Sequence, residues 1–352
     1  MRIVILGLSI TSSWGNGHAT TYRGLAKGLA ARGHSVSFLE RDLSWYAQNR
    51  DMPEPPYAQV SLYRSVDELR GNHANEVRDA DLVIVGSYVP DGIAVGDWVT
   101  NTAAGLTAFY DIDTPVTLAK LSNGGADYIS RELISRYDLY LSFTGGPTLD
   151  RLEHEFGAQR ARPLYCSVDA EAYFPEAATA RWDLGYLGTY SDDRQRTLVE
   201  LMLDPARRLT DRRFVVAGAQ YPDGVAWPDN VTHIVHLPPR EHREFYNAQR
   251  YTLNITRADM IRAGWSPSVR LFEAAACGTA IVSDYWEGIE AFFEPGEEIL
   301  IARRGEDMAE YLHDVSEEER AALGRRARER VCAGHTAAHR AIELERYAAE
   351  FQ

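Results

Sequence analysis

Apolar residues in this chain gather into short runs, separated by stretches in which apolar positions recur every three or four residues. "RIVILGL", "HSVSFLERD", "DLVIVGSYV", "LTAFYDID" and "YDLYLSF" read as strands, the first apolar enough to be buried on both faces. Between the first two lie a polar, glycine-rich loop, "SITSSWGNGH", and an amphipathic helix over "ATTYRGLAKGLAARG" that Gly33 stops. The segment "LYCSVDAEAYFPEAA" breaks this rhythm. A second series then begins with "DLGYLG", "RFVVAGA", "THIVHL", "YTLNIT" and "TAIVSD". Strands alternating with helices predict an α/β protein of two tandem doubly wound domains, whose facing edges form a cleft. The predicted boundaries are an N-terminal domain over 1–165, a linker over 166–180 and a C-terminal domain over 181–335. A last amphipathic helix within 336–352 is expected to pack back on the first domain. "SEEERAALGRRARERV" reads as a solvated helix laced with charge pairs.

Composition narrows the function classes. With 352 residues and 45% hydrophobic content, the chain can build two cores. A net charge of -14 argues against nucleic acid and anionic membranes as partners. No run approaches the roughly 20 apolar residues of a membrane span, and "MRIVILGL" is too short for a secretory signal. Cys166, Cys277 and Cys332 are odd in number and widely spaced, as expected in a reducing cytoplasm.

Chemistry concentrates in "SPSVRLFEAAACGTAIVSD". Ser266 suits an N-cap, Pro267 the first helical position and Gly278 the residue past the end. Val269, Phe272 and Ala276 share an apolar face, with Arg270, Glu273 and Cys277 on an adjoining stripe. An i,i+3 surface ion pair is one reading of Arg270 and Glu273. The other is a ligand site: free N–H groups and the hydroxyls of Ser266 and Ser268 face an anion, and Arg270 forks onto phosphate. Glu273 then accepts from a vicinal diol such as a ribose.

This segment, with "IVSDYWEGIEAFFEPGEEI", "SSWGNGHATTYRGLAKGLAARGHSVSFLERD", "AFYDIDTPVTLAKL", "LSFTGGPTLDRLE", "LYCSVD" and "LGYLGTYSDDRQ", resembles the CgeB-like glycosyltransferases. These have two Rossmann-like domains, the B-type glycosyltransferase fold. The resemblance runs from the first strand to about Ile301. It implies that Glu273 binds the donor ribose and that Ser266, Ser268 and Arg270 hold the diphosphate. Family 4 retaining enzymes carry a second glutamate eight residues before the first; here that position is Trp265. Retaining stereochemistry is therefore not implied.

In the loop "SSWGNGHATTYRG", Gly15 and Gly17 lack the third glycine of a dinucleotide fingerprint, although Glu40 is placed to hold a ribose. The resemblance puts this loop on the acceptor or phosphate side. His18 can accept an acceptor-hydroxyl proton, or cap its own helix. Trp14 is either an acceptor platform or helix packing. Asp111 and Asp113, at the end of a strand, are similar to the Asp-x-Asp metal site of A-type glycosyltransferases, but two tandem domains oppose that fold. Asp113 is taken as a base or acceptor ligand and Asp111 as its structural neighbour. Three strand-end segments complete the donor side. Gly188, Thr189 and Arg194 lie in "YLGTYSDDRQ", Ala217 to Ala219 suit a flat base, and Arg257 follows "LNIT".

The expected function is glycosyl transfer from a nucleotide-diphosphate sugar, with no cofactor and no metal, to an acceptor that the sequence does not identify. A nicotinamide-dependent oxidoreductase using the first domain and a non-catalytic sugar-nucleotide-binding or spore-structure protein are the alternatives.

Overall fold

A computed structural model describes residues 1–14 and 17–351. The chain divides into two compact units, Met1–Ser167 with Ala337–Gln352, and Val168–Thr336.

The first unit is built on seven parallel strands in the order β3-β2-β1-β4-β5-β6-β7. They are β1 (Arg2–Gly7), β2 (Ser35–Arg41), β3 (Gln59–Tyr63), β4 (Leu82–Gly86), β5 (Leu106–Asp111), β6 (Leu139–Ser142) and β7 (Ala161–Pro163). β1 and β4 are buried almost throughout, as their unbroken apolar runs require. β3 and β7 lie at the edges, where a half-exposed strand and a proline are tolerated. Helix Ala337–Ala349 belongs to this unit and packs on helix His18–Ala31. A Cβ at Gly28 would come within 2.7 Å of the Ala337 carbonyl, so the two backbones meet there. Glu345 pairs with Arg32 and His34, each at 2.5 Å, and these bonds hold its carboxyl down at about 2.

The second unit carries six parallel strands in the order β10-β9-β8-β11-β12-β13. They are β8 (Trp182–Leu187), β9 (Phe214–Ala217), β10 (Val231–Ile234), β11 (Gln249–Asn254), β12 (Ala280–Ser283) and β13 (Leu300–Ile301). Helix Glu317–Gly334 opens with a Ser316–Glu319 capping box. It is not simply solvated, because Leu323, Gly324, Ala327 and Val331 are buried. At Gly324 a Cβ would sit 2.1 Å from the Gly278 carbonyl, a contact only glycine permits. The charged residues occupy the other face.

In both sheets the strand order reverses once, between β1 and β4 and between β8 and β11. In doubly wound sheets ligands settle outside the carboxyl ends of the strands that flank such a reversal.

Candidate functional site

At the reversal of the second sheet three arginines converge. β8 ends at Leu187, and Gly188 and Thr189 lead into helix Asp192–Leu198, which carries Arg194. β11 ends at Asn254, followed by Arg257 and the short helix Ala258–Ala263. Arg270 stands in the first turn of helix Val269–Ala276. Its Nε donates to the Leu187 carbonyl, while Nη1 donates to Asn254 Oδ1 at 2.9 Å and to Ser268 Oγ at 3.4 Å. Its guanidinium carbon lies 4.9 Å above the Tyr186 ring. Arg194 donates to the Thr189 carbonyl at 2.6 Å, and its Nε has no partner among the described residues. Burial lowers the pKa of Arg194, with Arg270 and Arg257 adding repulsion and Tyr186 opposing them.

Arg257 lies 3.9 Å from Asp193, and its Nε likewise lacks a hydrogen-bond partner among the described residues. Arg270 has carbonyl, amide and hydroxyl partners but no carboxylate within ion-pair distance among the described residues. Cations held together in this way, with little compensation from acids, are arranged to receive an anion. Backbone shape makes the room. A Cβ at Gly188 would meet Tyr186 Oη at 2.4 Å and Arg270 Nη2 at 3.0 Å.

Glu273 lies one turn further along that helix, 4% exposed. Tyr246 Oη donates to its Oε2 at 3.0 Å, and His242 Nδ1 stands 3.8 Å from the same oxygen. The Glu273 charge raises the hydroxyl pKa of Tyr246 and of Tyr173, in both cases after the larger effect of burial. The i,i+3 pair with Arg270 does not form, since the two side chains reach different partners.

Two details of the sequence reading need correction here. Ser266 is not the N-cap and Pro267 is not the first helical residue. The helix begins at Val269, and Ser268 Oγ caps it by accepting from the Arg270 N–H at 3.3 Å. Ser266 is buried in the preceding extended segment. Trp265, at φ 43°, donates its N–H to the Glu287 carbonyl at 2.7 Å. Its indole lies against Gly288, where a Cβ would come within 2.4 Å of the ring.

Sequence reasoning missed Asn254, Tyr186, Tyr246 and His242, as well as Asp284. Asp284 accepts from the Thr256 N–H at 2.8 Å and from Thr256 Oγ1 at 2.7 Å, and so fixes the turn just before Arg257. Beside the end of β9, His233 stacks on Trp227 at 4.6 Å and donates from Nε2 to the Gly218 carbonyl at 3.2 Å.

At the reversal of the first sheet the structure brings His18, Tyr88 and Asp113 together. His18 opens helix His18–Ala31 after Gly17, which provides no side-chain cap; His18 itself does not cap the helix. It is 7% exposed, with Nε2 3.9 Å from Asp113 Oδ2 and Nδ1 without a partner among the described residues. The Tyr88 ring meets it edge-on at 5.5 Å. β5 stops at Asp111, so the two aspartates diverge. Asp113 is the N-cap residue of helix Thr114–Ser122, while Asp111 is fully buried. Asp111 accepts from Tyr140 Oη at 2.6 Å, Thr117 Oγ1 at 2.8 Å and the Asp113 N–H at 3.2 Å. Burial nevertheless pushes its carboxyl up to about 6, against the bonds from Tyr140 and Thr117. Among the described residues no group of three or more His, Cys, Asp or Glu could hold a metal ion.

Glu40 does not offer a ribose ligand. It is fully buried and accepts from Ser9 Oγ at 3.1 Å, from the N–H groups of Ile10 and Thr11 at 2.7 and 3.0 Å, and from Thr11 Oγ1 at 2.6 Å. With its acceptor positions filled by its own loop, the dinucleotide reading loses its one supporting residue. Trp14 is half exposed on that loop. Gly15 lies outside the described residues.

Residues 194–346 match the family model described as glycosyl transferase-like. No curated protein sequence matches the chain. Solved structures show its fold. Sucrose-phosphate synthase from Thermosynechococcus elongatus superposes with a TM-score of 0.71 at 14% identity, covering 100% of this chain and 99% of that one. HepE of Anabaena, solved with UDP and glucose, gives 0.71 at 11% identity, covering 99% and 100%. An alpha-glucosyltransferase in complex with UDP gives 0.74 at 12% identity, again covering 99% and 100%. The chain therefore has the B-type glycosyltransferase fold, with two Rossmann-like parallel-sheet domains.

Proposed function

We propose that this protein transfers a glycosyl group from a nucleotide-diphosphate sugar to an acceptor. The observation that carries this reading is the convergence of Arg194, Arg257 and Arg270 at the reversal of the second sheet. Three guanidinium groups with Asp193 as their one ion-pair partner among the described residues suit a diphosphate, and Glu273, one turn beyond Arg270, suits the ribose hydroxyls. As the glycosidic bond breaks, negative charge grows on the leaving diphosphate and positive charge on the sugar. Fixed cations aimed at the growing charge lower the barrier and do the work of a divalent ion. The solved relatives in complex with UDP make uridine diphosphate the first nucleotide to try.

Proton transfer falls to the first unit. His18 is the acceptor base, its Nδ1 unpartnered among the described residues and its Nε2 beside Asp113. A base of this kind implies inversion at the anomeric carbon, in accord with Trp265 where a retaining enzyme has its second glutamate. Within the glycosyltransferases the CgeB-like group remains the proposed relationship, and hexosyl transfer the proposed reaction. A cytoplasmic location accords with three free cysteines, and the acidic surface disfavours nucleic acid as a partner. Among the described residues no helix is long and apolar enough to cross a membrane.

The test is release of nucleoside diphosphate from UDP-, GDP- and dTDP-sugars, with and without chelator, beside a binding trial with NAD. Donor turnover that survives chelation supports the proposal. NAD binding without any nucleoside-diphosphate binding would return the chain to the oxidoreductases. Tight donor binding with no turnover would favour a sugar-nucleotide-binding protein.

A further inference from the structure

The chain contains only two lysines, Lys27 and Lys120. Lys120 lies in the last turn of helix Thr114–Ser122, the helix that Asp113 opens. Its Nζ is 4.9 Å from the centre of the Tyr88 ring and 5.3 Å from that of Tyr128, and these rings lie 4.5 Å apart. Aromatic faces attract an ammonium group but offer its three N–H donors no oxygen. Among the described residues no carboxylate comes within ion-pair distance of Lys120. The chain nevertheless carries 51 acidic residues. The nearby buried acid, Asp111, is already supplied by Tyr140 and Thr117, so it makes no demand on the lysine.

The platform is held at a cost. Tyr88 sits at φ 62°, a left-handed conformation that a bulky residue rarely adopts. In that conformation its ring spans from Lys120 to the edge of His18. Cation, paired rings and candidate base are thus contiguous at the reversal of the first sheet, with Tyr128 and His18 buried and Tyr88 and Lys120 partly exposed.

We propose that Lys120, on the Tyr88–Tyr128 platform, binds an oxyanion carried by the acceptor, a phosphate or a carboxylate, and so presents an acceptor hydroxyl to His18. The proposal rests on the assignment of the first unit to the acceptor. A compact, strongly hydrated ammonium with no carboxylate at ion-pair distance among the described residues is suited to a small anionic group. The net charge of -14 gives such a ligand no general attraction, so recognition has to be local.

Having two lysines makes the test direct. Reductive methylation with 13C-formaldehyde keeps both charges and gives two lysine side-chain signals, assigned with Lys120→Met. Inorganic phosphate titrated into the full-length protein should move the Lys120 signal to saturation and leave Lys27 in place, with sodium chloride of equal ionic strength as the control. Saturation at a lower concentration of phosphate than of acetate identifies a phosphate-bearing acceptor; the reverse order identifies a carboxylate. In Lys120→Met, phosphate affinity followed by 31P line width should fall roughly tenfold or more, the loss of a charged hydrogen bond. Nucleoside-diphosphate binding, measured by calorimetry, should be unchanged. Equal movement of both lysine signals, or movement no larger than in chloride, overturns the subsite. If phosphate saturates Lys120 while no nucleoside diphosphate binds, the oxyanion site stands and the glycosyltransferase assignment falls.

Discussion

Glu40 and Glu273 are both buried glutamates, one near the end of β2 in the first unit and the other on helix Val269–Ala276 in the second. Glu40 receives four hydrogen bonds from the loop Ser9 to Thr11, two of them from backbone N–H groups. Glu273 receives one from Tyr246 at 3.0 Å and interacts with the Tyr173 hydroxyl, with His242 within electrostatic reach. A carboxylate has about four lone-pair positions. The first is spent on holding its own chain, while the second keeps acceptor capacity beside a cluster of cations. The residue that a dinucleotide motif would have favoured is therefore structural, and the helix glutamate is the one for which ribose binding is proposed.

Removing each acid should sharpen that contrast. Glu40→Ala leaves several buried donors unsatisfied, and we expect a loss of about 3–5 kcal/mol in the stability of the first unit. Denaturant melts followed by probes in each unit would show it; a loss below about 1 kcal/mol would break the comparison. Glu273→Ala should leave ligand-free stability nearly unchanged but weaken nucleoside-diphosphate binding by about 1.5–3 kcal/mol, roughly 10- to 150-fold. A large fall in ligand-free stability would place Glu273 with Glu40.

A third buried acid sets the pH dependence. Asp111 has its carboxyl raised to about 6 in the folded state, above its unfolded value, so between about pH 4 and 6 the folded chain binds more protons than the unfolded one. Stability from this group is therefore fullest below pH 4 and is lost as pH rises through 6. The shift converts to about 2–3 kcal/mol at most. Asp111→Asn should flatten that slope in melts taken across the window, and an unchanged slope would assign it to other groups. The smallest expected effect is that of Arg270→Lys, which keeps the charge but loses the contacts to Leu187 and Asn254. We expect nucleoside-diphosphate affinity to fall about 3- to 10-fold, with ligand-free melting shifted by only a few degrees.

Both sheets were legible as runs of apolar residues, because central parallel strands are buried on both faces. The edge strands of the first sheet were not, although "THIVHL" marked β10 at an edge of the second. Gln59–Tyr63 is half exposed and has no continuous apolar run, and Ala161–Pro163 is three residues long. A serine stands on each side of Pro267, and the serine-proline motif pointed to Ser266 where Ser268 is the cap. The residue before a proline is held extended, and the chain stays extended through Ser268. Arg194, Arg257 and Arg270 were legible singly, as cations after strands. Their mutual proximity depends on strand order, which no local pattern encodes. The partners of Glu273 and Arg270 lie far away in sequence, Tyr246 by 27 residues and Leu187 by 83. The same is true of Glu40, whose donors precede it by about 30 residues and turn a plausible ligand into a structural acid.

The central claim is that the arginine cluster of the second unit binds a diphosphate. Calorimetric titration of the intact protein with UDP and with UMP, repeated for GDP and GMP and for dTDP and dTMP, tests it most directly. For one base the diphosphate should bind at least tenfold more tightly than the monophosphate, and Arg194→Met with Arg270→Lys should erase that difference while leaving the monophosphate affinity nearly unchanged. Equal affinity for mono- and diphosphate with every base, or a difference that persists in the double variant, would contradict the assignment.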